Sequence, residues 1–74
     1  MATTTEMVIA ARKASGNTIA QMTELAGLRS TNTYQGREDD PLEFRLGELK
    51  GMYEGMNEIS RPILKEAVMS IFLP

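Results

Sequence analysis

Between Arg45 and Ile59 the chain reads RLGELKGMYEGMNEI, and Gly47, Gly51 and Gly55 recur at every fourth position of a segment that otherwise has a helical period. Each glycine inside a helix costs about 0.8–1 kcal/mol relative to alanine, so the three together cost on the order of 3 kcal/mol. Positions four apart lie on one side of a helix, so the three make a narrow strip without side chains. A small chain can carry that cost only if another backbone lies against the strip. Beside it runs an apolar ridge of Leu46, Leu49, Tyr53 and Met56. A helix with a ridged face and a flat face calls for two neighbours. One is the first half of the same chain, and the other is expected to be a second copy or a different protein. The alternative is that the first half, rich in Ala and Ser, covers the glycines within a single molecule.

The length of 74 residues points to one small domain spanning 1–74, and such domains are often marginal without staples or partners. Cysteine and histidine are both absent, which removes disulfides and argues against zinc sites and histidine-based catalysis. The expectation is therefore no metal, no cofactor and no enzymatic activity. The net charge of −2 argues against a nucleic-acid partner, because the eight basic residues are scattered. No apolar run reaches the length of a membrane-spanning helix. The amino end, MATTTEMVIAARKASGNT, lacks the basic and apolar regions of a cleavable secretory signal, so export would take another route.

The periodicity predicts an all-α fold in the form of a helical hairpin. A first helix over about 4–29 carries Val8, Ala11, Ser15, Ile19, Met22 and Ala26 on one face, with a bend or break expected at Gly16, Asn17 and Thr18. The polar segment STNTYQGREDD, about 30–40, reads as the connecting loop. Asp40 and Pro41 read as the start of a second helix over about 41–73, with Leu42, Leu46, Leu49, Tyr53, Met56, Ser60, Ile63 and Ala67 in a 4-3 repeat. Pro62 predicts a kink, or two abutting helices with Asn57 or Ser60 capping the second.

The acidic cluster of Glu38, Asp39, Asp40 and Glu43 lacks the ligand number and turn glycine of a calcium loop and reads as a solvated helix start. Phosphate loops and nucleophile elbows are absent, and Lys13 and Lys65 read as solvated side chains rather than nucleophiles. Six methionines suit ordinary core or shifting contacts. The carboxyl end, AVMSIFLP, has no charge after Glu66 and calls for burial, either against the first helix or in a partner.

The D-D-P turn followed by Leu42 and the ending ILKEAVMSIFLP resemble the needle subunits of bacterial type III secretion systems, over about Asp39 to Leu73. The matching positions of the terminal motif are Ile63, Leu64, Lys65, Ser70 and Ile71. Related inner-rod and pilin-type subunits are included in the resemblance. Pro62 and the Gly47-Glu48-Leu49 stretch depart from the family pattern. The resemblance implies an exported, unprocessed structural protein that assembles helically with copies of itself, and with other proteins of the apparatus, into a hollow filament. The contact residues expected on that basis are Leu46, Leu49, Tyr53, Met56, Ile63, Val68, Ile71 and Phe72, with Gly47, Gly51 and Gly55 at tight crossings. The alternative is a soluble, cytoplasmic helical adaptor that docks its apolar carboxyl-terminal helix in a partner.

Overall fold

A computed structural model of the chain describes residues 3–72. The fold is all-α. Five helices run in the order α1 (Thr4–Ser15), α2 (Ile19–Leu25), α3 (Thr31–Asp39), α4 (Leu46–Gly55) and α5 (Ser60–Met69), with a 3-10 turn at Pro41–Glu43 between α3 and α4.

Local chemistry explains each boundary. Thr3 and Glu6 form a capping box at the start of α1, and Thr18 and Gln21 form another at the start of α2. Two glycines end those helices with left-handed backbone, Gly16 at φ 73° and Gly27 at φ 76°. After α2, the Gly27 amide donates to the Glu24 carbonyl and the Leu28 amide to the Thr23 carbonyl, each at 3.0 Å, the pairing of a Schellman cap. The first predicted helix is therefore two helices, broken where residues 16–18 lower the propensity.

The expected loop over 30–40 is instead helical. Ser30 caps it, its hydroxyl accepting the Asn32 amide at 3.1 Å, and tertiary contacts supply what the weak propensity of TNTYQGRED lacks. The second long helix also divides. Asp40 makes no side-chain cap, and the helical turn it precedes lasts three residues before Phe44 turns extended at φ −61°, ψ 133°. The second break falls at 56–59, where the Asn57 side-chain oxygen accepts the amides of Ile59 at 3.1 Å and Ser60 at 2.8 Å. Pro62 then lies in the first turn of α5, where its missing N–H disturbs no ladder bond. Leu73, the last residue of the predicted second helix, lies outside the described residues.

The hairpin is accordingly replaced by a bundle. Helices of 26 and 33 residues would be about 39 and 50 Å long, whereas the longest dimension of the molecule is 32 Å. Helices α1 and α5 pack along each other in antiparallel sense: Thr4 meets Ser70 through their hydroxyls at 2.7 Å, and the Asn57 amide, just before α5, donates to the Ala14 carbonyl at 3.3 Å. Helix α2 lies against α3 and α4, and α1 also touches α3. The core takes Val8 and Ala11 from α1, Met22 and Ala26 from α2 and its cap, Tyr34 from α3, Phe44, Met52 and Met56 from the region of α4, and Leu64 and Ala67 from α5.

The glycine strip has an internal neighbour at two of its three positions. A Cβ at Gly51 would collide with the Leu25 carbonyl oxygen and sit 3.3 Å from its carbonyl carbon. At Gly55 it would run into the Leu25 side chain, with Cδ1 at 2.8 Å and Cγ at 3.0 Å. At Gly47 it would meet nothing within 4 Å. The neighbour at two of the three positions is thus the end of α2, and the third glycine is open.

Candidate functional site

Two surfaces stand out: the outward face of α3, and an apolar groove between α4 and α5.

Helix α3 follows α2 after a five-residue turn through Gly27. Its inward side carries Tyr34 and Glu38, both fully buried. The Tyr34 ring packs edge-on against Phe44 at a centroid distance of 5.9 Å. Glu38 receives Arg12 of α1 at two oxygens, Nε to Oε2 at 2.9 Å and Nη2 to Oε1 at 3.4 Å, a fork geometry that fixes orientation as well as charge. On the other flank, Arg37 Nε donates to Glu48 Oε1 of α4 at 3.1 Å. The same oxygen accepts the Arg45 amide at 3.0 Å, so Glu48 both caps α4 and anchors α3. Burial pushes the Glu48 pKa up, but the Arg45 amide and the Arg37 guanidinium outweigh it, and the net shift is downward. Burial and then the Glu38 carboxylate push the Tyr34 hydroxyl up, so it stays protonated. Its oxygen makes no hydrogen bond of full geometry despite that neighbour.

The outward side of α3 is chemically different. Thr31, Asn32 and Thr33 are exposed, Gln35 is half-exposed, and Gly36 has open space where a side chain would stand. Arg29 and Ser30 lead into this face, and both are exposed. Residues 11–37 contain four basic residues, Arg12, Lys13, Arg29 and Arg37, and one acidic residue, Glu24. The other nine acidic residues all lie outside that stretch. The overall charge of −2 therefore conceals a division along the chain, although Arg12 and Arg37 are already engaged by Glu38 and Glu48.

The second surface is a groove of about 300 Å³, walled on α4 by Leu46, Leu49, Lys50 and Tyr53 and on α5 by Leu64, Lys65, Val68 and Met69. Arg61 sets the elbow between these helices. Its guanidinium donates to the last carbonyls of α4, at Tyr53 and Glu54, each at 3.0 Å, and lies 5.4 Å from the centre of the Tyr53 ring. Four of the predicted contact residues, Leu46, Leu49, Tyr53 and Val68, meet in this groove. Leu46 is 84% exposed and Phe72, beyond α5, 73% exposed. Ile71 lines a neighbouring hollow with Pro41 and Leu42. Met56 instead belongs to the core, Ile63 is half-buried against it, and Gly51 and Gly55 face Leu25 of α2, Gly55 from an exposed position.

Sequence reasoning missed the α3 surface because a polar segment with one apolar anchor looks like a loop. The usable signals were Ser30 ahead of it and the Gly27 that ends α2. Among the described residues no cluster of side chains could hold a metal ion, and no helix is long and apolar enough to cross a membrane. No family model matches the chain, and neither a curated protein nor a solved structure matches it.

Proposed function

We propose that the protein is a small DNA-binding module in which α2, the turn through Gly27 and α3 act as a helix-turn-helix, with α3 entering the major groove. The observation that carries this is the outward face of α3: Thr31, Asn32, Thr33 and Gln35 are uncharged donors and acceptors on a helix held rigidly from behind. A solvated helix that only needs solubility is typically supplied with Lys and Glu, whereas Asn, Gln, Thr and Ser are the side chains that match base edges. In such motifs it is the first residues of the second helix that touch bases, and here those are the exposed ones. Among the exposed cations, Arg29 stands just ahead of α3 and Lys13 follows Arg12, whose guanidinium reaches Glu38 of α3, so these two are the candidates for phosphate contacts, and Gly36 lets the backbone come close. This reading runs against the expectation of no nucleic-acid partner, which rested on the net charge and on the scatter of the basic residues, and it implies a protein that works inside the cell rather than one that is exported.

The test is selection of the purified chain against a random duplex pool, followed by fluorescence anisotropy at stated salt. An enriched sequence is expected, with Asn32→Ala weakening it by about 1–3 kcal/mol and Lys13→Ala weakening all duplexes alike. No enrichment, together with no duplex binding at low salt, would refute the proposal.

The second reading, a filament protomer of the type III needle kind, draws support from the exposed groove and Phe72, which lie in the half that carries the resemblance. Its original motive is weaker, since Gly51 and Gly55 already have an internal neighbour. Uniform filaments in negative stain would favour it.

A further inference from the structure

We propose that the α4–α5 groove receives a short acidic amphipathic helix of a partner protein. The groove is an apolar trough. Leu64 at its floor is 2% exposed, Leu49 and Val68 are half-buried beside it, and Leu46, Tyr53 and Met69 stand exposed along its rim. Its walls run from Leu46 to Tyr53 on α4 and from Leu64 to Met69 on α5, a reach of about 8–11 Å, which about two turns of helix would fill. Apolar side chains at i, i+3, i+4 and i+7 of such a helix meet a trough of this kind from one side.

Charge selects the occupant. Among the described residues, the walls carry only two charges, Lys50 on α4 and Lys65 on α5. Arg61 precedes Lys65 by one helical turn and stands at the elbow, where it caps the last carbonyls of α4. Neither lysine nor Arg61 forms an ion pair with a carboxylate of the described residues. Glu54 and Glu66 are exposed and adjoin Tyr53 and Lys65 in sequence, but neither lines the groove, and Glu43 and Arg45 precede Leu46 with opposite signs. Outside these three cations the chain has five basic residues against ten acidic ones, so the cationic rim is a local feature. A helix with carboxylates on both flanks of an apolar stripe meets Lys50 on one side and Lys65 on the other, whereas a basic helix is repelled by both. An open trough leaves much of a small apolar anion in water, which disfavours a fatty acid. A flat anionic bilayer does not reach Leu64 at the floor. None of the groove residues belongs to α2 or α3, so docking here does not depend on DNA recognition by α3.

The probe is a labelled synthetic peptide of about 16 residues, long enough to hold a helix, with Leu and Phe in one stripe and Glu on both of its flanks. Titrated into the full chain without DNA, it is expected to bind by fluorescence anisotropy at low salt and to shift amide NMR signals chiefly on α4 and α5. Replacing its glutamates by glutamine should weaken binding by about tenfold. Lys50→Glu combined with Lys65→Glu should do the same, with melting unchanged because both side chains are exposed. Lys13→Glu, at an exposed lysine of α1 outside the groove, should leave binding intact. No binding, equal affinity for the glutamine peptide, shifts centred elsewhere, indifference to the paired lysine reversals, or an equal loss with Lys13→Glu would each overturn the proposal. So would tighter uptake on phosphatidylglycerol vesicles than on the peptide, or sedimentation equilibrium showing that the chain closes the groove with a second copy. Since no DNA is present, none of these results bears on whether α3 reads bases.

Discussion

Replacing each glycine of the strip by alanine, one at a time, separates three effects that share one chemistry. Gly47→Ala adds a methyl where nothing lies within 4 Å, so the lower backbone entropy of the unfolded chain is the main change, worth about 0.5–1 kcal/mol of stabilisation. Gly51→Ala gains the same helix propensity but drives the methyl into the Leu25 carbonyl, with the carbonyl carbon at 3.3 Å. That obstacle is backbone, and it belongs to the capped end of α2, where Gly27 and Leu28 already fix the last carbonyls. Overpacking of a rigid neighbour costs about 1–3 kcal/mol, and the upper end applies, leaving a net loss of about 2 kcal/mol. Gly55→Ala meets only the Leu25 side chain, with Cγ at 3.0 Å, which can rotate, so a loss of about 0.5–1 kcal/mol is expected. In a domain this size each kcal/mol moves the melting temperature by about 4–8 °C. Thermal denaturation followed by circular dichroism should rank the variants Gly47→Ala above the parent, then Gly55→Ala, then Gly51→Ala about 8–16 °C below it. If Gly51→Ala melts at or above the parent temperature, α2 does not lie against α4 as described.

Three further outcomes follow from the pairs that hold α3. Arg12→Ala leaves the buried Glu38 carboxylate uncompensated and should cost about 3 kcal/mol in urea denaturation, and an unchanged midpoint would show the pair to be inert. Tyr34→Phe removes a buried hydroxyl that makes no full hydrogen bond and should raise stability by about 1 kcal/mol; a loss would mean that the hydroxyl is bonded to Glu38 in solution. Glu48 has a folded pKa below its ordinary 4.5, so its contribution is fully present above that pH and is lost as the pH falls through the folded value; Glu48→Gln should flatten the acid limb of a stability–pH profile, and an unaltered limb would refute the assignment.

The helical class was legible because period-two alternation is absent and Ala, Leu, Met and Glu dominate the periodic segments. The break at Gly16 and the renewed helix after Asn57 were also readable, since positive φ and side-chain capping are local chemistry. The division into short helices was not. Residues 31–39 have little propensity and one apolar anchor, and their helix depends on Arg12 and Glu48, which are distant in sequence. The Leu42-to-Phe72 stripe looked like one continuous face because the period survives across the breaks at Phe44–Arg45 and 56–59, although the chain changes direction there. A backbone does approach the strip at Gly51, whereas Gly55 meets a side chain and Gly47 nothing, and a pattern within one helix carries no information about which segment approaches. The neighbour proved to be a segment 26 residues away from Gly51, at Leu25.

Helix α3 is moored at both flanks by charge and fastened to the core by one aromatic ring. The acidic partner of each mooring is withdrawn from water, Glu38 almost completely, so dissolved ions weaken either pair only slightly. The element facing outward therefore keeps its pose across a wide range of ionic strength, and whatever docks on it meets a surface already set.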